Sequence, residues 1–381
     1  MTDTRETGLG RAAKRALAAL LAMVLGAVGG ARLAPPRPVE VERRAEPARP
    51  APAGPGFDPP PTGWVRDEDV IAANLDPVET LHFDTTPAGR AARGDEDVFL
   101  YRLVRKVNGR AAPWYPNIDQ GDVGCCVGAG AKHGCDVVQA TAIAAGAGFE
   151  WKPASAEVIY AGSRIDVGGG QLRGDGSVGA WARRYLKEKG GIAPMEQIGA
   201  HDLTAFSPAR ARQWGRTGVP PEVQAVARAH PVKGAALVTR AADVKRAVAQ
   251  GYPVVVCSDV GFNDRDGSVG TRDAHGFIAP RGTWPHCMLL LGWRGGPRPG
   301  ALCLNSWGDR AHGGPVWPAD MPVAAFWIDE AVVDRMVRQG DSFALADVAG
   351  FPARDPDWFI RAGPDRARPR GRTPDVLSLR P

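Results

Sequence analysis

Cysteine is scarce in this chain and irregularly placed. The 381 residues hold six, Cys125, Cys126, Cys135, Cys257, Cys287 and Cys303; two are adjacent and no repeating spacing appears, which excludes a regular disulfide framework. Adjacent cysteines rarely face one tetrahedral ion, and no second Cys/His pair lies at zinc-finger spacing. Cys125, Cys126, His133 and Cys135 are therefore not a metal site on this reading, and no cofactor is expected. Net charge is equally thin in the middle of the chain. Of the formal +5, residues 1–62 contribute +3 from nine Lys/Arg against six Asp/Glu, and residues 353–381 contribute +3 from seven Arg against four Asp, which leaves −1 for 63–352. A basic face for nucleic acid is thereby excluded, and the basic ends are expected to be solvated or to lie near an anionic membrane surface. No repeat of solenoid length occurs.

Long apolar runs are also missing. The longest, Ala16 to Ala31, has sixteen apolar or small residues, short of the roughly twenty that span a bilayer comfortably. It follows a basic start (Arg5, Arg11, Lys14, Arg15) and ends Gly29-Gly30-Ala31, the pattern of an export signal or an uncleaved N-terminal anchor over residues 1–31. This predicts a secreted or membrane-anchored protein outside the cytoplasm, with membrane association through that segment. Residues 32–63 contain APPRP, EPARPAPAGPG and DPPPTG, a proline-rich linker. The remaining chain, at 44% hydrophobic and 23% charged overall, can bury a large core. A folded body is expected over 64–352 and a mobile basic tail over 353–381.

Within the body the hydrophobic period changes part-way. Cys126 to Gly146 is rich in Ala and Gly, with Val138, Ala142 and Ala145 at helical spacing, and predicts a helix packed closely on its neighbours. Ser155–Arg164 and Val178–Lys189 are two more helices, the second ended by Gly190-Gly191. After a polar, proline-containing stretch at 207–232, Ala242–Ala249 predicts a helix and Pro253–Val260 a buried strand. His286–Trp293 and Ala301–Trp307 form a hairpin across RGGPRPG, and a strand at Phe326–Ile328, a helix at 329–338 and a strand at 342–348 follow. The class is α+β, with a helical lobe at about 120–220 and a β lobe at about 230–350. Cys257 and Cys303 sit in apolar runs and are expected to be reduced and buried.

Three short stretches carry chemistry: QGDVGCCV from Gln120, HCMLLLGW from His286, and Asn305-Ser306-Trp307-Gly308. A cysteine at a helix N-terminus meets the helix dipole and unpaired N–H groups, which lower a thiol's pKa and supply donors to an oxyanion. A histidine can exchange a proton with that thiol, and an asparagine amide can hold the ring in one tautomer. In order and spacing these stretches resemble the papain-like cysteine peptidases, in a bacterial or phage-type form, over residues 115–348. The resemblance implies a two-lobed fold, a helical lobe with a central nucleophile helix facing a β-barrel-like lobe.

It also implies the roles. Gln120, six residues ahead, selects Cys126 rather than Cys125 as nucleophile and is itself the oxyanion-hole donor. His286 is the general acid and base, and Asn305 orients it, with Trp307 shielding that bond from water. Gly176, in Gly174-Asp175-Gly176-Ser177, resembles the glycine whose segment pairs with an extended peptide. Gly176 and Trp307 are thus the substrate-side residues, and His133, His275 and His312 are taken as surface or loop residues. The expected activity is hydrolysis of peptide bonds in a peptide or protein substrate through a Cys126 thioester. The alternatives are another Cys-His acyl-transfer enzyme, such as a cell-wall peptide amidase, or a silent module that uses its cleft only to bind.

The chain departs from the pattern at four positions. Val127 stands where a Trp is usual, Cys125 replaces a small polar residue, Val123 takes the place of a common disulfide cysteine, and Pro285 directly precedes His286. An adjacent Cys125-Cys126 pair is also open to oxidation. Residues 64–110 lack the long charged helix of a recognisable inhibitory propeptide.

Overall fold

The structure, a computed structural model, describes residues 62–75, 80–91 and 96–354. The segment 1–31, nearly all of the linker and nearly all of the basic tail lie outside the described residues. Among the described residues no helix is long and apolar enough to cross a membrane.

Three short helices, α1 (Glu68–Ala73), α2 (Pro87–Arg90) and α3 (Tyr101–Val107), surround a two-residue strand, β1 (Val98–Phe99), that precedes α3. The helical part then centres on α4 (Cys126–Ala144), with α5 (Ala156–Gly162), α6 (Gly179–Arg184), the small hairpin β2 (Gln197–Ile198) and β3 (His201–Asp202), α7 (Pro208–Thr217) and α8 (Pro221–Arg228). The sheet part holds β4 (Gly234–Leu237), α9 (Ala241–Ala249), β5 (Val254–Val260), β6 (Thr283–Arg294), β7 (Gly300–Leu304), β8 (Ala325–Asp329), α10 (Glu330–Val337) and β9 (Phe343–Ala346). Its strands pair antiparallel in the order β4-β9-β5-β6-β7-β8, and β1 adds to β6 as the seventh.

Helix α4 joins the two parts because its sequence lets it approach both. A Cβ on Gly128 would lie 2.6 Å from the Ala156 carbonyl oxygen and 2.7 Å from Tyr160 Cβ, so only glycine admits α5 that closely; the helix also packs on β5, β6 and β9. It carries a buried ion pair one turn apart: Lys132 Nζ donates to Asp136 Oδ2 at 2.7 Å, and Asp136 Oδ1 accepts the Ala154 N–H at 2.8 Å. Strand β6 is contacted by both α4 and α9, and every residue from His286 to Trp293 is buried. That explains why its sequence is one apolar run rather than an alternation.

The structure differs from the sequence expectation in two places. The polar stretch 207–232 contains two helices. Ser207 caps α7 by accepting the Arg210 N–H at 3.2 Å, and Pro208 and Pro221 occupy first helical positions, where a missing N–H costs nothing. The last helical turns after α5 and α6 widen into π turns at Ser163–Val167 and Tyr185–Lys189.

Candidate active site

Cys126 is the first residue of α4 and Cys125 its cap, so the two neighbours leave the helix end on different sides. Cys125 is buried in a small cluster with Val123, Tyr160 and Ala211, on the helical side. Cys126 lies beside Cys287 of β6 and beside Gly63, whose N–H groups both favour its thiolate. All six cysteines are reduced and buried.

His286, one residue before Cys287 on β6, pairs across the ladder with Ser258 of β5. Its Nε2 lies 2.9 Å from Asn305 Oδ1, and Asn305 is the first residue beyond β7. The same Oδ1 accepts the Ser306 N–H at 2.8 Å. His286 Nδ1 is buried with no hydrogen-bond partner. The Trp307 ring lies 4.5 Å from the His286 ring at 33°, and Trp284 lies 4.7 Å from Trp307. Trp307 is thus sandwiched and only 3% exposed, and it covers the imidazole–amide bond.

Gln120 is laced to the Asn305 loop. Its N–H donates to the Ser306 carbonyl at 2.9 Å, its Oε1 accepts from Ser306 Oγ at 2.7 Å, and its Nε2 donates to the Val123 carbonyl at 2.9 Å. One of the two amide hydrogens is therefore spent on the loop that leads to Cys126.

The chain's own residues 63–65 lie beside the N-terminal end of α4, bonded to Pro285 of β6 on one side and to Ser177 on the other. Gly63 and Trp64 donate their N–H groups to the Pro285 carbonyl at 3.1 and 2.9 Å; Ser177 N–H donates to the Gly63 carbonyl at 2.8 Å, and Val65 N–H to the Ser177 carbonyl at 2.9 Å. Trp64 and Ser177 run parallel. Ser177, not Gly176, makes the main-chain bonds expected of the Gly174–Ser177 segment. Gly176 makes room: its φ is +115°, and a Cβ there would lie 2.9 Å from Val65 Cγ2. Trp64 is buried, its Nε1 donating to Asp341 Oδ2 at 2.8 Å, while Gly179 N–H donates to the same oxygen at 2.7 Å and Asp341 Oδ1 has no partner. Gly63, assigned by composition to the linker, is part of this strand.

This cover reverses the electrostatics expected from sequence. Burial pushes the Cys126 thiol well above its ordinary value, reinforced by the neighbouring Cys287 and Cys125 sulfurs and opposed by the Cys287 and Gly63 N–H groups. Burial likewise pushes His286 down to about 4, against the Asn305 hydrogen bond. Both groups are neutral at pH 7 in the covered state, because desolvation outweighs the helix-end dipole.

Among solved structures the chain is similar to xylellain, a cysteine protease from Xylella fastidiosa, at 18% identity over 79% of this chain and 98% of that one, with a TM-score of 0.44. It is also similar to a digestive procathepsin L proteinase from the larval midgut of Tenebrio molitor (16% identity, 76% and 78% covered, TM-score 0.47) and to a procathepsin B from Trypanosoma congolense (14%, 77% and 86%, 0.47). No family model matches the sequence, and no curated protein matches it. With TM-scores below 0.5 these likenesses carry no weight for the site, whose chemistry rests on the contacts above.

Three groups that bear on the site escaped the sequence reading. Asp341 lies 55 residues beyond His286 in a Gly-Asp-Ser loop with no motif around it. His312, expected at the surface, is 4% exposed, with Nε2 3.1 Å from Asn305 Nδ2. His133, expected likewise, is buried inside α4 beside Lys132 and Tyr115; its position on the helix face that meets residues 115–116 could have been read from the helical period.

Proposed function

We propose that this chain is a cysteine-type peptidase whose cleft is closed by its own Thr62–Val65 strand. The observation that carries the reading is the pairing of His286 Nε2 with Asn305 Oδ1, which leaves Nδ1 buried and unpaired one residue before Cys287, whose N–H opposes the rise in the Cys126 thiol's pKa.

Once the strand leaves and water returns, the Cys126 thiol passes its proton to His286 Nδ1, and the thiolate attacks a peptide carbonyl. The oxyanion takes the N–H of Cys126, one of the orphan donors at the start of α4, and a hydrogen from Gln120 Nε2. His286 then protonates the leaving amine, and water hydrolyses the thioester with the same ring as base. The main-chain groups that hold Gly63–Val65, at Ser177 and Pro285, are the ones an extended peptide would take over, so a peptide and the strand compete for the cleft.

The test is labelling with an epoxide peptide that traps thiolates, together with hydrolysis of a general fluorogenic peptide. Label is expected on Cys126 in wild type and in Cys125→Ala, and lost in Cys126→Ala. Equal labelling of Cys126→Ala overturns the reading. Labelling of Cys126 without peptide hydrolysis favours the binding module, and cleavage of muropeptides alone favours the cell-wall amidase.

A further inference from the structure

Asn305 can serve the His286 ring only if its amide faces one way, and an amide has two nearly isosteric ends. With Oδ1 toward His286, the ring nitrogen Nε2 must carry the proton, and Nδ1 is left as a lone pair for the thiol. With Nδ2 toward His286 the tautomer is reversed, Nδ1 carries the proton, and the ring cannot accept one from Cys126.

The groups on the far side of Asn305 decide between these. His312 Nε2 lies 3.1 Å from Asn305 Nδ2, and His312 Nδ1 lies 3.1 Å from the Gly270 carbonyl oxygen. A carbonyl only accepts, so His312 Nδ1 is the protonated nitrogen. In a neutral ring Nε2 is then a bare acceptor, and only the Nδ2 end of Asn305 can face it. Neutrality is secured by the surroundings. His312 is buried against Phe326, with ring centroids 4.6 Å apart, and the Arg272 guanidinium donates to its backbone carbonyl at 2.8 Å. Burial, reinforced by the charges of Arg272 and His286 and opposed by the Gly270 bond, brings the imidazole down to about 3.

We propose that His312 is a positioning residue: held in one tautomer by the Gly270 carbonyl, it fixes the Asn305 amide and through it the proton of His286. This rests on the peptidase reading, in which His286 receives the Cys126 proton. The direction of each hydrogen bond from Gly270 to His286 then follows from a single carbonyl. Ser306 N–H, donating to the same Asn305 Oδ1, biases the amide in the same sense, so His312 acts as the second of two constraints. Without it the Nδ2 hydrogens are left facing an apolar wall.

The decisive variants are His312→Phe, which keeps a ring against Phe326 but removes both hydrogen bonds, and His312→Gln, which retains a donor and an acceptor. The tautomer of His286 is read by nitrogen-15 NMR on the full chain at pH 7, independently of turnover. Wild type is expected as the Nε2–H form, His312→Phe as a mixture, and His312→Gln closer to wild type. Peptide hydrolysis is compared in the Trp64→Ala background, where the cleft strand has lost its anchor. His312→Phe is expected to lower kcat roughly tenfold, on the scale of one lost buried hydrogen bond, with KM within about twofold and with partial rescue by Gln. A His312→Phe protein that melts lower but keeps the Nε2–H tautomer and the wild-type kcat per labelled site overturns the proposal. If the Trp64→Ala parent neither hydrolyses peptide nor labels at Cys126, the peptidase reading itself fails, whatever the tautomer shows.

Discussion

Trp64→Ala should open the cleft. The indole is 2% exposed and its Nε1 holds Asp341 at 2.8 Å, whereas the rest of the strand is held by main-chain bonds to Pro285 and Ser177 that water can replace. Removing a buried Trp side chain costs about 3–5 kcal/mol. Here that cost falls on the covered state alone, since Trp64 is solvated once the strand leaves. At about 1.4 kcal/mol per factor of ten, the closed-to-open ratio drops by roughly a hundred- to several-thousandfold. Cys126 reacts only when open, so its alkylation by iodoacetamide at pH 7 should accelerate by a comparable factor, up to the limit set by full opening. The assay is the second-order rate constant from mass spectrometry, with fragment ions separating Cys126 from Cys125. Cys125, buried in a separate cluster with Tyr160 and Ala211, serves as the internal control and should not change. A Trp64→Ala protein that is folded but alkylated at Cys126 within threefold of wild type refutes the reasoning, and acceleration at both cysteines points to general loosening instead.

Two further predictions concern buried charge. Lys132→Met leaves the Asp136 carboxylate without its cation in the middle of α4, which should destabilise the fold by about 3–5 kcal/mol, read from denaturant midpoints, and adding Asp136→Asn should recover part of it. Asp341 is pushed up to about 7 by burial, against the Trp64, Gly179 and Ala180 donors and the Arg183 charge, with the Cys257 thiol also beside it. The folded state therefore holds a proton that the unfolded chain has released, and this contribution is full below the ordinary carboxyl value of 3.8 and lost as pH rises through about 7. Asp341→Asn removes the dependence, so its stability relative to wild type should improve between pH 5 and pH 8 by about 2–3 kcal/mol. Parallel melting curves across that range contradict the assignment.

The helix–strand order of the body was legible because it rests on period. Cys126–Ala144 carries its glycines where neighbours approach, and His286–Trp293 is apolar throughout because it is covered by both α4 and α9. Helices α7 and α8 were not legible as long as proline was counted as a breaker; Ser207-Pro208 and Pro220-Pro221 are starts, not interruptions. In the site, the pairing of His286 with Asn305 follows from a hairpin whose register can be guessed. His312 and Asp341 could not be found in this way, since each is defined by what it meets across the fold, and neither has a local pattern.

The covering strand and the chemistry exclude one another for a single physical reason. A thiolate–imidazolium pair needs solvent or oriented dipoles around two charges; in the structure both groups are buried, Cys126 beside Gly63 and Cys287 and His286 beside Asn305, Trp307 and Trp284. In the covered state the thiol is driven up and the imidazole down, so the helix N-terminus has no anion to stabilise. Because the thiol is driven up and the imidazole down together, closure moves the proton from His286 back to Cys126 without net uptake, and whatever stabilises the thiolate–imidazolium pair favours departure of the strand. Steric block and loss of the nucleophile are then one event. On the proposed reading, release of the strand would return the helix-end dipole, the Cys126 N–H and the Gln120 amide to the sulfur and to an incoming carbonyl together. Gly63 sits where this coupling is tightest: a Cβ there would lie 1.9 Å from the Gly124 carbonyl oxygen, while its own N–H, bonded to the Pro285 carbonyl, also favours the Cys126 thiolate. Any side chain at position 63 must therefore push the strand off Gly124, and in doing so it returns water to the thiol.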